Sequence, residues 1–123
     1  MRNEIKIRFE EPVYSIDEEK GIVDCVLKYE ILYPEVLEFV GFNGKPLFYT
    51  TATAKLRDGD MWDANVGKKV SLAKAEQKVY NKVKKRCVKT IRRCFKIMQI
   101  CNDFGHKSDF VINHNDKYLE QWK

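Results

Sequence analysis

The chain is poor in proline and glycine, with three and six residues among 123, and between Gly67 and Gly105 it has neither. That scarcity excludes a loop-rich second half and leaves a long helix as the expected state there. Histidine is scarce too. His106 and His114 are the only two, and they sit in a polar segment with no cysteine beside them and no suitably spaced carboxylate. Glycine-rich phosphate loops and nucleophile motifs are missing, so the expectation is a protein that is not an enzyme, with no metal and no cofactor. No run of about 18 apolar residues occurs, which excludes a membrane-spanning helix. The opening residues, Met-Arg-Asn-Glu-Ile-Lys, lack the apolar core of a signal peptide, and a cytosolic protein is expected.

What is present is a length and apolar content suited to one domain, with 44% hydrophobic and 12% aromatic residues. Three of the four cysteines, Cys87, Cys94 and Cys101, recur every seven residues. That is the spacing of a helix face and of no zinc or redox motif, so with Cys25 they are expected to be small buried apolar residues.

The net charge of +5 is unevenly spread. Residues 1–67 carry eight Lys/Arg against thirteen Asp/Glu, residues 68–96 twelve against one, and residues 97–123 three against four. The basicity therefore belongs to one segment, which favours anionic partners: small phosphates, nucleic acid, or the acidic half of another copy.

The fold class expected is α+β, an N-terminal antiparallel sheet of four to five strands (residues 1–57) packed with one or two long C-terminal helices. Ile5, Ile7 and Phe9 alternate with Lys6 and Arg8 until Pro12 breaks the run, as at an edge strand or bulge. Asp17-Glu18-Glu19-Lys20-Gly21 reads as a turn. From Val23 to Ile31 odd-numbered positions are apolar and most even-numbered ones polar, the clearest strand in the chain. Val36–Phe42 is read as another strand, Asn43-Gly44-Lys45-Pro46 as a hairpin turn, and residues 47–56 as the next strand. Helical period runs over residues 64–104 with Asp60 or Asp63 as N-cap, as one helix or as two with a bend near Cys87–Thr90. The tail, residues 105–123, has one short apolar run, Phe110-Val111-Ile112, read as a last strand or a segment packed across the sheet.

Two constellations bear on function. Lys78, Lys82, Lys85, Lys89, Arg92 and Lys96 follow at steps of three and four, forming one stripe. It reads either as a solvated face or as a contact for phosphates or for acidic strands of a second copy. Adjacent Arg92 and Arg93 offer planar donor forks to phosphate oxygens. The second constellation is the junction of sheet and helix, where Arg57, Asp58, Asp60, Trp62, Asp63 and Asn65 gather beside a helix N-terminus. Helix-start amides accept anions and an indole stacks on a nucleobase, while three acids there are equally ordinary capping chemistry.

Ala54, Lys55, Asp60, Trp62, Asp63, Gly67, Ala73 and Ala75 follow a pattern in small phage proteins: a strand ending in Ala/Gly-Lys, an acidic turn, an aromatic, an Asp, then Gly and an Ala-x-x-Arg-Ala helix. Together with the layout of sheet, junction and basic helix, this resembles the first Thoeris anti-defence family of phages. The resemblance implies a sponge that binds and sequesters, without cleaving it, a cyclic ADP-ribose type signalling nucleotide in the host cytoplasm. It further implies a homo-oligomer, a dimer or higher, with ligand held between protomers. Where that family often has Cys-x-Pro before the acidic turn, this chain has Leu56-Arg57-Asp58, and Lys74 replaces the helix Arg. On this reading Trp62 or Phe9 would stack on the base, Arg57, Arg92 and Arg93 would hold phosphates, and Asn65 would lie at the junction. The alternative is a nucleic-acid-binding or nuclease-inhibiting module that uses the basic stripe.

Overall fold

A computed structural model describes residues 3–42, 47–55, 61 and 63–122. It is an α+β structure with four antiparallel strands, β1 (Lys6–Phe9), β2 (Val13–Asp17), β3 (Ile22–Leu32) and β4 (Leu47–Lys55), and one helix, α1 (Ala64–Glu120). The chain divides into two compact units, Met1–Cys87 and Val88–Lys123.

In the first unit β3 is the central strand. β1 and β2 lie end to end along one of its edges, with Phe9 opposite Tyr29 and Val13 opposite Val26, and β4 takes the other. Between those two pairs stand Glu10, Glu11 and Pro12 on one strand against Leu27 and Lys28 on the other. The extra residue is a bulge at the proline, where no ladder N–H is available. It switches parity: Ile7 and Phe9 share a face with Tyr14 and Ile16, which continuous pairing would have sent to opposite faces.

Strict alternation in β3 puts Val23, Cys25, Leu27, Tyr29 and Ile31 into the core. α1 covers that face. Its central row is Gly67, Ser71, Ala75, Val79 and Val83, so the helix begins small and becomes large. The sheet does the same: Ala75 packs with Cys25, Leu27 and Ala52, while Val79 and Val83 pack with Tyr29, Ile31 and Phe42. A methyl carbon on Gly67 would stand 2.6 Å from Val23 Cγ2, so only glycine lets the first turn sit there. The other face of the sheet has exposed Val13, Leu47 and Tyr49, with Arg8 and Glu30 paired across it at 3.7 Å.

Asp63 caps α1, its carboxylate accepting from the N–H groups of Asn65 (2.9 Å) and Val66 (3.4 Å). The expected turn after β2 is present, with Lys20 N–H donating to the Asp17 carboxylate and Gly21 at φ 64°.

Three expectations are corrected. Residues 36–42 are not a strand: a 3-10 helix spans Glu35–Val40, closed by Gly41 at φ 86°. Both edges of β3 are already paired, and Phe42 turns inward instead, its ring edge-on to Tyr33 at 5.0 Å. Phe110-Val111-Ile112 forms no strand, and the helical half does not stop at residue 104, because α1 runs unbroken to Glu120. One helix, not two, follows the junction. Of the cysteines expected to be buried, only Cys25 is; Cys87 and Cys94 are half-buried and Cys101 is exposed. The expected turn at residues 43–46 and the Asp60 cap lie outside the described residues.

Candidate functional site

On α1 of the first unit the cations fall into rows on either side of the buried central row. Lys74 Nζ donates to the Thr53 carbonyl at 3.2 Å and Lys78 Nζ to the Thr51 carbonyl at 2.7 Å. Lys82 Nζ stands 5.1 Å over the Phe48 ring, and the Arg86 guanidinium 4.8 Å over Phe42. The match is geometric, since four helix residues rise about 6 Å and two strand residues about 6.6 Å, so successive turns meet successive outward carbonyls of β4. Lysines at a sheet edge block further strand pairing. Lys78 and Lys82, two members of the sequence stripe, thus serve the sheet edge.

The opposite row meets β1 and β2. Lys68 Nζ lies 5.5 Å over the Tyr14 ring, and Tyr80 lies 6.1 Å from Phe9, the rings inclined at 54°. Below Tyr80, Ile5, Lys6, Ile7, Val83, Lys84 and Cys87 line an open cleft of about 510 Å³ between β1 and the helix. Its floor is apolar, Tyr80 is 56% exposed, and Lys84 stands at its helix wall, while Lys6 alternates with Ile5 and Ile7 and shares the outer parity of Arg8. Lys6 Nζ lies 3.5 Å from the Glu4 carboxylate, both side chains well exposed, a pair of little energetic weight. A cleft of this size with an aromatic wall and a lysine beside it suits a ligand that is part ring and part phosphate.

Burial also tunes the core beside this row. Desolvation pushes the Cys25 thiol up, with the Glu76 carboxylate adding to it, and raises the Tyr14 phenol for the same reason, helped by Cys25 and Glu76. A thiol held protonated is a packing group and a poor nucleophile. Among the described residues no group of His, Cys, Asp and Glu is placed to hold a metal ion, and no helix is long and apolar enough to cross a membrane.

Of the residues singled out from sequence, Phe9 borders the cleft through Tyr80, and its other side rests on Tyr29 at 6.4 Å. It is a half-buried wall of the core. Asn65 is exposed on the first turn, its N–H already taken by Asp63. Arg92 and Arg93 belong to the second unit, on exposed helix. Arg57 and Trp62 lie outside the described residues. Tyr80 and Lys84 are not among the residues singled out from sequence. The four-residue step from Tyr80 to Lys84 was visible, but what faced it was not.

No protein-family model, curated protein or solved structure matches this chain.

Proposed function

We propose that this protein is a non-catalytic nucleotide sponge, which binds a cyclic ADP-ribose type signalling nucleotide and holds it intact. The observation that supports this most is the cleft of about 510 Å³ beside Tyr80, with Lys84 at its helix wall. In this reading a base lies against the exposed Tyr80 ring and the pyrophosphate takes the Lys84 ammonium. The acidic host signal would be removed by binding alone, with no bond broken. The test is uptake from a panel of cyclic nucleotides, followed by heat denaturation and identification of what is released. Intact ligand supports the reading, and a cleaved product or no uptake rejects it. Tyr80→Ala should lower the affinity while the protein stays folded.

A second reading rests on a different observation. Lys89, Arg92, Arg93 and Lys96 put four exposed cations into eight residues of the second unit with no acid among them. Such a band fits the phosphate backbone of a nucleic acid, whose binding would weaken steeply with salt. A flat salt response, or no binding to any DNA or RNA, removes it.

A further inference from the structure

In the second unit residues 88–102 carry Lys89, Arg92, Arg93 and Lys96 and no acid. The same stretch holds large apolar side chains in water. Val88, Ile91, Phe95 and Met98 are all exposed, Phe95 at 64%. They follow at steps of three, four and three, so at about 3.6 residues per turn they fall within about 80° of arc on the helix. Lys89, Arg92 and Lys96, exposed as well, fall within about 60°, and about 40° separates Arg92 from Val88. The two rows therefore run side by side. They also end together, because Asn102 takes the next place in the apolar row and Gln99 and Asp103 the next two in the cationic one. Ile97 and Ile100, exposed too, lie outside the apolar row.

We propose that this double row seats residues 88–98 on the surface of an anionic lipid bilayer, with the helix lying in the plane of the interface. A row of large apolar side chains facing water marks an interaction surface. Charge then selects the occupant. A second copy would set the same four cations against these, so like charges oppose self-pairing along this stretch. A nucleic acid takes the cations and leaves the apolar row in water. An anionic bilayer takes both. Val88, Ile91, Phe95 and Met98 enter the boundary of headgroups and acyl chains, while Lys89, Arg92 and Lys96 reach the anionic headgroups from the margin of the row. The row rises about 15 Å from Val88 to Met98 and lies along the surface; among the described residues no helix is long and apolar enough to cross a membrane. The nucleic-acid reading draws on the same cations, and the apolar row is what separates the two. The nucleotide reading is independent, because Tyr80 and Lys84 belong to the first unit.

The experiment is sedimentation of the full-length chain with two kinds of vesicle, phosphatidylcholine alone and phosphatidylcholine with about 30 mol% phosphatidylserine. The protein should sediment with the anionic vesicles and bind the neutral ones far more weakly. Lys89→Gln with Lys96→Gln should weaken anionic binding about 30-fold, or about fivefold for each charge removed. Phe95→Ser with Met98→Ser should weaken it about tenfold or more with every cation kept. Circular dichroism of both double variants checks that the helix is retained. A fluorescent DNA duplex titrated alongside reports the other source of phosphate, since its binding would follow the lysines and ignore Phe95 and Met98. Absence of vesicle binding, equal binding to neutral and anionic vesicles, or anionic binding indifferent to the Phe95 and Met98 changes overturns the proposal. Duplex binding without vesicle binding overturns it in favour of a nucleic acid.

Discussion

Gly67 lies against Val23 so closely that a methyl carbon added to it would stand 2.6 Å from Val23 Cγ2. Val23 is fully buried and β-branched, so it has little room to turn away. This contact fixes how the start of α1 sits on β3, and hence which helix turns reach the two sheet edges.

Gly67→Ala should therefore destabilise the protein. Overpacking costs about 1–3 kcal/mol, which exceeds the gain of about 1 kcal/mol in helix propensity. In a Val23→Ala background the same change should be neutral or stabilising. Urea unfolding of the four-member cycle checks this, and a Gly67→Ala protein more stable than the parent contradicts it.

The lysine ladder on β4 predicts a different kind of defect. Lys78→Met keeps the stem and loses the bond to the Thr51 carbonyl, with an expected cost of about 0.5–1 kcal/mol. Replacing Lys74 and Lys78 together by Thr should cost little more in stability yet bare the outer carbonyls of β4. Concentration-dependent light scattering should rise in that double variant. Unchanged scattering would mean that the lysines do not guard the edge.

These two relationships also mark how far the sequence could be read. Alternation from Val23 to Ile31 dictates a one-sided strand, Pro12 signals an edge strand or a bulge, and Asp60 or Asp63 announces the helix start, all from local chemistry. The 36–42 segment was misread because a short apolar run suits either a strand or a turn. What decided it was the occupation of both edges of β3 by β1, β2 and β4. Phe110-Val111-Ile112 looked extended for the same reason, and the helix simply continues through it. The cationic stripe was legible as a period, but Thr51 and Thr53, more than twenty residues away in sequence, decide what Lys78 and Lys74 do. Tyr80 and Lys84 became a candidate site only once β1 was seen beside them.

Burial of Cys25 makes stability depend on alkali. Desolvation, then the nearby Glu76 carboxylate, raises its thiol above the ordinary value of 9.0. The folded state thus favours the proton more than the unfolded state does. Its contribution is complete below about pH 9 and is lost as pH rises through the folded value. Tyr29 acts in the same sense, raised by burial against an opposing pull from Arg86. The stability difference between the parent and Cys25→Ala should be constant from pH 6 to about 8 and shrink above about 9. A difference that grows with pH in that range contradicts the account.

Phe42 anchors the 3-10 segment under the far end of the sheet, fully buried against Tyr33 and beneath Arg86. Phe42→Ala should cost about 3–5 kcal/mol, as removal of a buried ring does. Chemical denaturation measures it. A loss below about 1 kcal/mol would show that this end of the core is not packed as described.

Native mass measurement of the purified protein, alone and with a panel of cyclic nucleotides, tests the ligand-sponge reading most directly. The predicted result is a mass increase equal to an intact cyclic ADP-ribose type ligand, lost or weakened in Tyr80→Ala, with the same ligand recovered unchanged after heating. No mass increase with any nucleotide, or recovery of a cleaved product, would contradict it.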